Sequence, residues 1–388
     1  MSREVTRHER HLAAVLGVEH IITFGYARHG LISILVAAGL RSGDEVVLSP
    51  LTCKVVPLAL MSLGLRPVYA DICSNTLNLD AAAVEAAVTS GTRAVLFQHT
   101  YGNLDGVAGV EAVARRRGVL FVEDGAQCLP TRLADYTPGR WGDATIFSNN
   151  LMKPLPAGSG GLVSTNDLNL ATRIRAQQTQ APVPPLRHDW WRRAEVWVHR
   201  QLVRPILYWP LFELNRRIAS AYQSQEVIAE ISSDITARAC RISGWQARRG
   251  EAALDTLDAA VAHRRAACAM YGAGLRGLGG IRLPCLDSAF PLYYFPVLVS
   301  AKDALLATAR RRLTQIVAWP IRTPIYPVET EATLRQYGYE PGSCAVAEDV
   351  ARRLVGLPTD PSIPVRHIRR VTALIEEHQN RLGVPRGH

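Results

Sequence analysis

The chain has 388 residues and a formal net charge of +10. With 48% hydrophobic and 20% charged residues it is neither a disordered nor a collagen-like chain. No apolar run reaches the roughly 20 residues that a membrane-spanning helix needs. Seven scattered cysteines with no CxxC spacing signal neither a structural zinc site nor a disulfide framework, so no metal is expected. The basic balance points to anionic partners such as phosphates, nucleotides, nucleic acid or lipid headgroups. No nucleic-acid-binding motif accompanies it. The N-terminus, MSREVTRHER, is charged and opens no signal-peptide apolar region, so a cytoplasmic location is the default expectation.

In chain order, residues 29–40 read as a helix and Glu45 to Leu48 as a short buried strand. Residues 54–63 are helical, and Pro67 to Ala70 is a strand. Asp80 to Ala87 is an alanine-rich helix, followed by the strand Ala94 to Gln98. Val107 to Arg117 is a helix, and Val119 to Glu123 a strand. Two further strands are expected at Ala144 to Phe147 and Leu162 to Ser164. Strands separated by helices of this length predict a parallel sheet, with ligands at the C-terminal strand ends. Residues 183–222 break the pattern with four prolines and four tryptophans. A single long helix over about 245–271 then leads to a C-terminal unit. That unit has a strand at Leu292 to Val299 and helices at 302–315 and 364–382. A large domain over 1–255 and a small one over 256–388 are expected.

The chain has only three lysines: Lys54, Lys153 and Lys302. Lys153 lies between a predicted strand and the glycine-rich run Gly158 to Gly161. Some thirty residues upstream, Asp124 directly follows a buried strand. A lysine that forms a Schiff base and an aspartate that keeps a pyridine nitrogen protonated are the minimum set for pyridoxal phosphate chemistry. Ser148, five residues before Lys153, and the backbone amides where Ala27 and Arg28 open a helix are candidate phosphate donors. Each position also has a plain structural use. Asp124 is a possible helix cap, Gln127 a surface amide, and Ser148 a loop cap. His99 and Tyr101 either face the pocket or serve as internal hydrogen-bonding groups. Lys54 and Lys302 read as solvated surface residues.

The order and spacing of several short segments resemble the DegT/DnrJ/StrS family of sugar aminotransferases. They include Arg41 to Val46, Ser49 to Thr52, Arg66 to Ile72, His99 to Gly102, Glu123 to Gln127, Ser148 with Lys153, Gly160 to Asp167, Val346 to Asp349 and Leu357-Pro358. The resemblance implies an α/β chain of the fold type I pyridoxal phosphate-dependent class. Its large domain would hold a mostly parallel seven-stranded sheet flanked by helices, beside a smaller α+β C-terminal domain. It further implies that pyridoxal 5'-phosphate is the cofactor, Lys153 its Schiff-base lysine and Asp124 the partner of its pyridine nitrogen. Gln127 then matches a residue bonded to the phenolic oxygen, and Ser148 a phosphate ligand.

Ala27 and Arg28 replace a Gly-Thr pair whose amides bind phosphate. Cys53 stands where many members place a stacking aromatic ring, and Ala239 where an asparagine reaches the partner subunit's phosphate. Arg238 and Arg241 are then candidates for the partner-subunit contribution in a homodimer, with His99 and Tyr101 as substrate candidates. The implied reaction moves an amino group from a small donor, L-glutamate, to a keto sugar carried on a nucleotide. The alternatives are a related dehydratase or eliminase, an aminotransferase on a lipid-linked or other non-sugar substrate, and a non-catalytic regulatory homologue. Between residues 186 and 218 seven arginines stand against three acids, interleaved with aromatic residues. This segment reads either as an arm packed over the site or a partner subunit, or as a membrane-surface contact.

Overall fold

The computed structural model describes residues 2–202, 207–211, 240–284, 289–319 and 322–382. Its elements begin with α1 (Arg3–Leu16), β1 (His20–Phe24), α2 (Ala27–Ala37), β2 (Glu45–Leu48), α3 (Val55–Met61) and β3 (Arg66–Tyr69). Next come α4 (Ala81–Ala87), β4 (Thr92–Gln98), α5 (Val107–Arg117), β5 (Leu120–Asp124), β6 (Ala144–Ser148), β7 (Gly161–Thr165), α6 (Leu168–Gln180) and α7 (Leu186–Leu202). The remainder is α8 (Gly244–Leu254), α9 (Leu257–Leu275), β8 (Ile281–Arg282), β9 (Tyr294–Val299), α10 (Lys302–Arg311), α11 (Glu331–Arg335), α12 (Ala345–Arg353), β10 (Leu354–Pro358) and α13 (Val365–Arg381).

Seven strands form one sheet in the order β1-β7-β6-β5-β4-β2-β3. From β6 to β3 every pairing is parallel; helices make the crossovers except between β5 and β6, where the irregular connection 125–143 is long enough to return the chain in parallel. β7 runs antiparallel to both its neighbours. The connection from β6 to β7 contains no helix, only the loop that carries Lys153, and the chain turns straight back. Strand alternation sorts the core into two layers. Val46, Leu48, Leu96 and Val122 pack against α2, α3 and α6. Val47, Val95, Phe97 and Phe121 pack against α4 and α5.

A second sheet, β10-β9-β8, is fully antiparallel. Phe295, Val297, Val355 and Leu357 on it pack against Tyr271 and Leu275 of α9 and Val371 and Leu374 of α13. The helix expected over 245–271 is two helices. Thr256 leaves the helical region at φ −106° and ψ 7°, and its hydroxyl bonds the Ala253 carbonyl instead. Threonine competes with the helix ladder in this way wherever its side chain reaches a backbone group. Lys302, expected on the surface, is 4% exposed. Its amine donates to the Ala351 carbonyl at 2.8 Å, and burial lowers its pKa to about 7.

Within 183–222 the described residues include α7 and the turn 207–211. The inner face of α7 docks on the body. Val196 lies against Gly158, and the Arg192 guanidinium donates to the Tyr26 hydroxyl. Its outer face exposes Trp190, Trp191 and Trp197 by 69%, 78% and 64%. Trp209 is buried beside β9 and β10, its indole N–H donating to the Thr314 carbonyl at 2.6 Å. Among the described residues no helix is long and apolar enough to cross a membrane. The docked inner face favours the arm over the membrane contact. The arm predicts that the intact protein stays in the aqueous fraction when floated with anionic liposomes at low salt, where basic attraction is strongest. Co-flotation would restore the membrane contact.

Candidate active site

The C-terminal ends of β4, β5 and β6 bring together the loops that carry the candidate residues. Asp124 closes β5, and its Oδ1 accepts the Ala126 N–H at 2.9 Å. Lys153 sits in the β6–β7 loop, which Asn149 gathers in. The Asn149 N–H donates to the Gly160 carbonyl, its carbonyl accepts from Ala157, and its side-chain amide donates to the Leu155 carbonyl. Burial raises the Asp124 carboxyl above the ordinary carboxylate range, with the Ala126 N–H, Lys153 and His99 opposing the shift. Burial also lowers the Lys153 amine, with the Cys53 sulfur and Asp124 opposing. Both groups move toward their neutral forms, so loss of water outweighs their mutual attraction.

Gln127 is buried, and its Oε1 accepts the Tyr101 N–H at 2.7 Å. That leaves its amide N–H groups for an acceptor in front of the sheet. Ser148 ends β6 half-buried and pairs in register with Gly161. Gly161 in turn abuts the start of α2: a Cβ there would lie 2.3 Å from the Ala27 nitrogen. The first turn of α2 holds no acidic residue, and its N-cap, Tyr26, supplies no capping side chain. The early amides of Ala27 and Arg28 thus have no capping side chain, and they lie against Gly161, the register partner of Ser148. Cys53 is half-buried, next to Lys153 and bridged to Tyr326.

His99 and Tyr101 are committed inward. His99 is fully buried, with Nε2 2.7 Å from Glu123 Oε2 and Nδ1 3.3 Å from the Asn103 carbonyl. The Tyr101 hydroxyl donates to the Trp319 carbonyl. The Arg241 N–H donates to the Pro182 carbonyl at 3.1 Å. Arg238 and Ala239 lie outside the described residues.

A lysine and a buried aspartate facing one space, with uncapped amides at a helix start, form a donor set that fits pyridoxal phosphate. A family model for the DegT/DnrJ/EryC1/StrS aminotransferase family matches residues 1–376. The chain belongs to this family. It is 38% identical over 172 residues to the spore coat polysaccharide biosynthesis protein SpsC of Bacillus subtilis, covering 44% of each chain. For this and two further curated relatives, the chain spans about half of the relative's length. It is 28% identical over 383 residues to dTDP-3-amino-3,4,6-trideoxy-alpha-D-glucose transaminase of Micromonospora megalomicea, covering 97% of this chain and 90% of that one. The crystal structure of S. venezuelae DesV superposes with a TM-score of 0.75 at 25% identity, covering 98% of this chain and 90% of that one. The fold is that of the pyridoxal phosphate-dependent aminotransferases.

Several residues of this family member were not singled out from sequence. The Tyr293 ring centroid lies 5.8 Å from Lys153 Nζ and 5.7 Å from the Arg264 guanidinium carbon. Arg264 is fully buried and donates to the Tyr293 carbonyl at 3.0 Å and to Thr359 Oγ1 at 2.8 Å. Gln246 donates to Ser159 Oγ at 2.7 Å and so steadies the glycine-rich loop. It also forms a capping box with Ser243, which the Ser-x-x-Gln spacing at 243–246 signals directly. No comparable sequence signal marks Tyr293 or Arg264.

Two variants test this geometry. Tyr101→Phe leaves the buried Trp319 carbonyl without its donor and should cost about 1–3 kcal/mol in urea unfolding. An unchanged midpoint would remove Tyr101 from the support of the site. The second variant is Asp124→Asn. A carboxyl with a raised folded pKa favours folding fully only below the unfolded value, about 3.9, and that contribution is lost as pH rises through the folded value. Before cofactor is added, Asp124→Asn should therefore melt higher than wild type at pH 7.5, with the gap closing toward pH 4. A lower melting temperature for the variant at pH 7.5 would show that burial does not strain this carboxylate.

Proposed function

We propose that this chain is a pyridoxal phosphate-dependent aminotransferase that moves an amino group from L-glutamate to a keto sugar carried on a nucleotide. The observation that carries the reading is the lowered Lys153 amine beside the buried Asp124 carboxyl, at the sheet edge of a chain in this family. The names of the relatives, a dTDP-sugar transaminase and GDP-perosamine synthase among them, support a sugar acceptor. When bound, pyridoxal phosphate supplies an electron sink for charge developing at the donor's α-carbon.

The protein's own groups do the rest. Lys153 would hold the cofactor's aldehyde carbon and would move a proton through its amine. Its lowered pKa raises the neutral fraction available near neutral pH. Asp124, short of water, is best satisfied by a positive charge, so it would keep a proton on the cofactor's pyridine nitrogen. Gln127, whose Oε1 is taken by the Tyr101 N–H, would donate its amide N–H to the phenolic oxygen. Ser148 and the Ala27 and Arg28 amides would hold the phosphate, and Cys53 would pack beside the cofactor ring. Tyr101 and His99 are positioning residues. The protein works as a homodimer, with Arg241, among the described residues, the candidate for the contribution to the second subunit's site. A division into a unit over 1–255 and a unit over 256–388 is part of this reading; the break between α8 and α9 is compatible with it.

The reading is tested by spectroscopy. The purified protein should show the visible band of lysine-bound cofactor, and L-glutamate should convert it to the pyridoxamine form. Lys153→Ala should lose the band while keeping its far-ultraviolet circular dichroism. A band that persists in Lys153→Ala would move the bond to Lys54 or Lys302. Failure of every amino acid to convert the wild-type cofactor would favour a different reaction or a non-catalytic homologue.

A further inference from the structure

Positive charge is concentrated at the start of α2, and the helix's own first turn carries no acid to match it. The helix dipole places a partial positive charge there. Side chains on a helix lean toward its N-terminus. The Arg28 guanidinium does so, lying 4.2 Å from the Tyr26 ring centroid. Its Nε is buried with no hydrogen-bond partner among the described residues. A second guanidinium arrives from α7. Arg192 lies 5.7 Å from the same ring and donates to the Tyr26 hydroxyl. Its carboxylate partner, Glu195, is 2.6 Å away but half exposed.

Both arginines act on one further group. The Cys240 thiol, pushed up by burial, is pulled back by Arg192 and Arg28. Cys240 sulfur lies where a Cβ on Gly25 would be, 2.3 Å from that position, so the two guanidiniums share the space beside Gly25 and Tyr26. Two guanidiniums and a helix start converge there while the Glu195 carboxylate answers only Arg192, so a further anion among them is favoured. Next to them lie the Ala27 and Arg28 amides, with Ser148 in register with Gly161, which are donors of the kind that an anion such as phosphate accepts from.

We propose that the Arg28 side chain, backed by Arg192 of α7, supplies the charge that holds the cofactor's phosphate in this chain. The inference rests on the aminotransferase reading and goes beyond its backbone amides. It makes the arm helix part of the phosphate's surroundings, and a guanidinium suits this work because its planar fork matches phosphate oxygens.

The experiment compares pyridoxal phosphate with pyridoxal, which lacks only the phosphate. The full-length chain, its Arg28→Gln, Arg28→Lys and Arg192→Gln variants are titrated with each, reading the absorption band of the lysine-bound form. Arg28→Gln should weaken pyridoxal phosphate about tenfold or more and leave pyridoxal unchanged, since a charge-assisted hydrogen bond is lost. Arg28→Lys should recover part of the difference, and Arg192→Gln should lose a smaller factor with the same selectivity. Inorganic phosphate should compete with pyridoxal phosphate more strongly in wild type than in Arg28→Gln.

Equal weakening of both ligands would mean that Arg28 only supports the fold and would overturn the proposal. An unchanged ratio in Arg28→Gln would overturn it too. So would a variant that keeps its pyridoxal phosphate affinity but loses inhibition by a nucleoside diphosphate, because the charge would then serve the substrate. If wild type forms no band with pyridoxal phosphate, the aminotransferase reading itself fails. A normal wild-type band with an unchanged ratio removes this inference alone.

Discussion

Tyr101 is fully buried in left-handed backbone, φ 56°, at the point where the seven-stranded sheet meets the three-stranded one. A non-glycine residue there costs on the order of 1–2 kcal/mol. Three hydrogen bonds offset that cost: its N–H to Gln127, its hydroxyl to the Trp319 carbonyl, and its carbonyl from the Tyr293 N–H at 2.7 Å. Gly102 follows with φ 82°, and a Cβ on it would lie 2.9 Å from the Gln127 carbonyl, so the turn admits no side chain there. Through these contacts one residue sets the Gln127 amide on one side and the Tyr293 ring beside Lys153 on the other. The site is thereby assembled from parts of the chain nearly two hundred residues apart.

Two consecutive acids show how a sheet separates support from chemistry. Glu123 and Asp124 point to opposite faces of β5. Glu123 is fully satisfied, accepting from the Gly139, Trp141 and Gly142 amides and facing His99 Nε2. It fixes the 139–142 loop and has no capacity left over. Asp124, with one backbone donor, keeps an oxygen for a positively charged partner. A buried carboxylate with an incomplete set of donors is costly, and a cofactor cation repays that cost only where it binds. Stability is thus given up at the position where chemistry needs a charge.

The basic character of the chain has a local meaning as well. Many of its arginines make exposed ion pairs, such as Arg116 and Arg117 with Glu85, that contribute little. Arg28 differs because its charge adds to a helix start instead of meeting a carboxylate. Arg264 differs because it is buried and spends its donors on the backbone carbonyl of Tyr293 and on Thr359, which ties the second sheet to the site.

Local pattern in the sequence determined the alternation of strands and helices between residues 29 and 165, since short β-branched runs and alanine-rich amphipathic stretches have distinct periods, whereas α1 and β1 were not marked by it. It also singled out Lys153 and Asp124, because so few lysines compete and the aspartate directly follows an apolar strand. Tertiary structure alone decided the remainder. The helix-free loop 149–160 leads to an antiparallel strand and the helix-free connection 125–143 to a parallel one, so only the folded chain sets the direction of β7. The split at Thr256 rests on a side-chain hydrogen bond that propensity does not resolve. Whether His99 faces a ligand or Glu123 depends on which strand lies beside it. The burial of Lys302, and the placing of Tyr293, Arg264 and Arg192 around the site, arise from contacts between distant segments. Such contacts leave no periodic trace in the chain, because packing acts on neighbours in space and residue patterning records only neighbours in sequence.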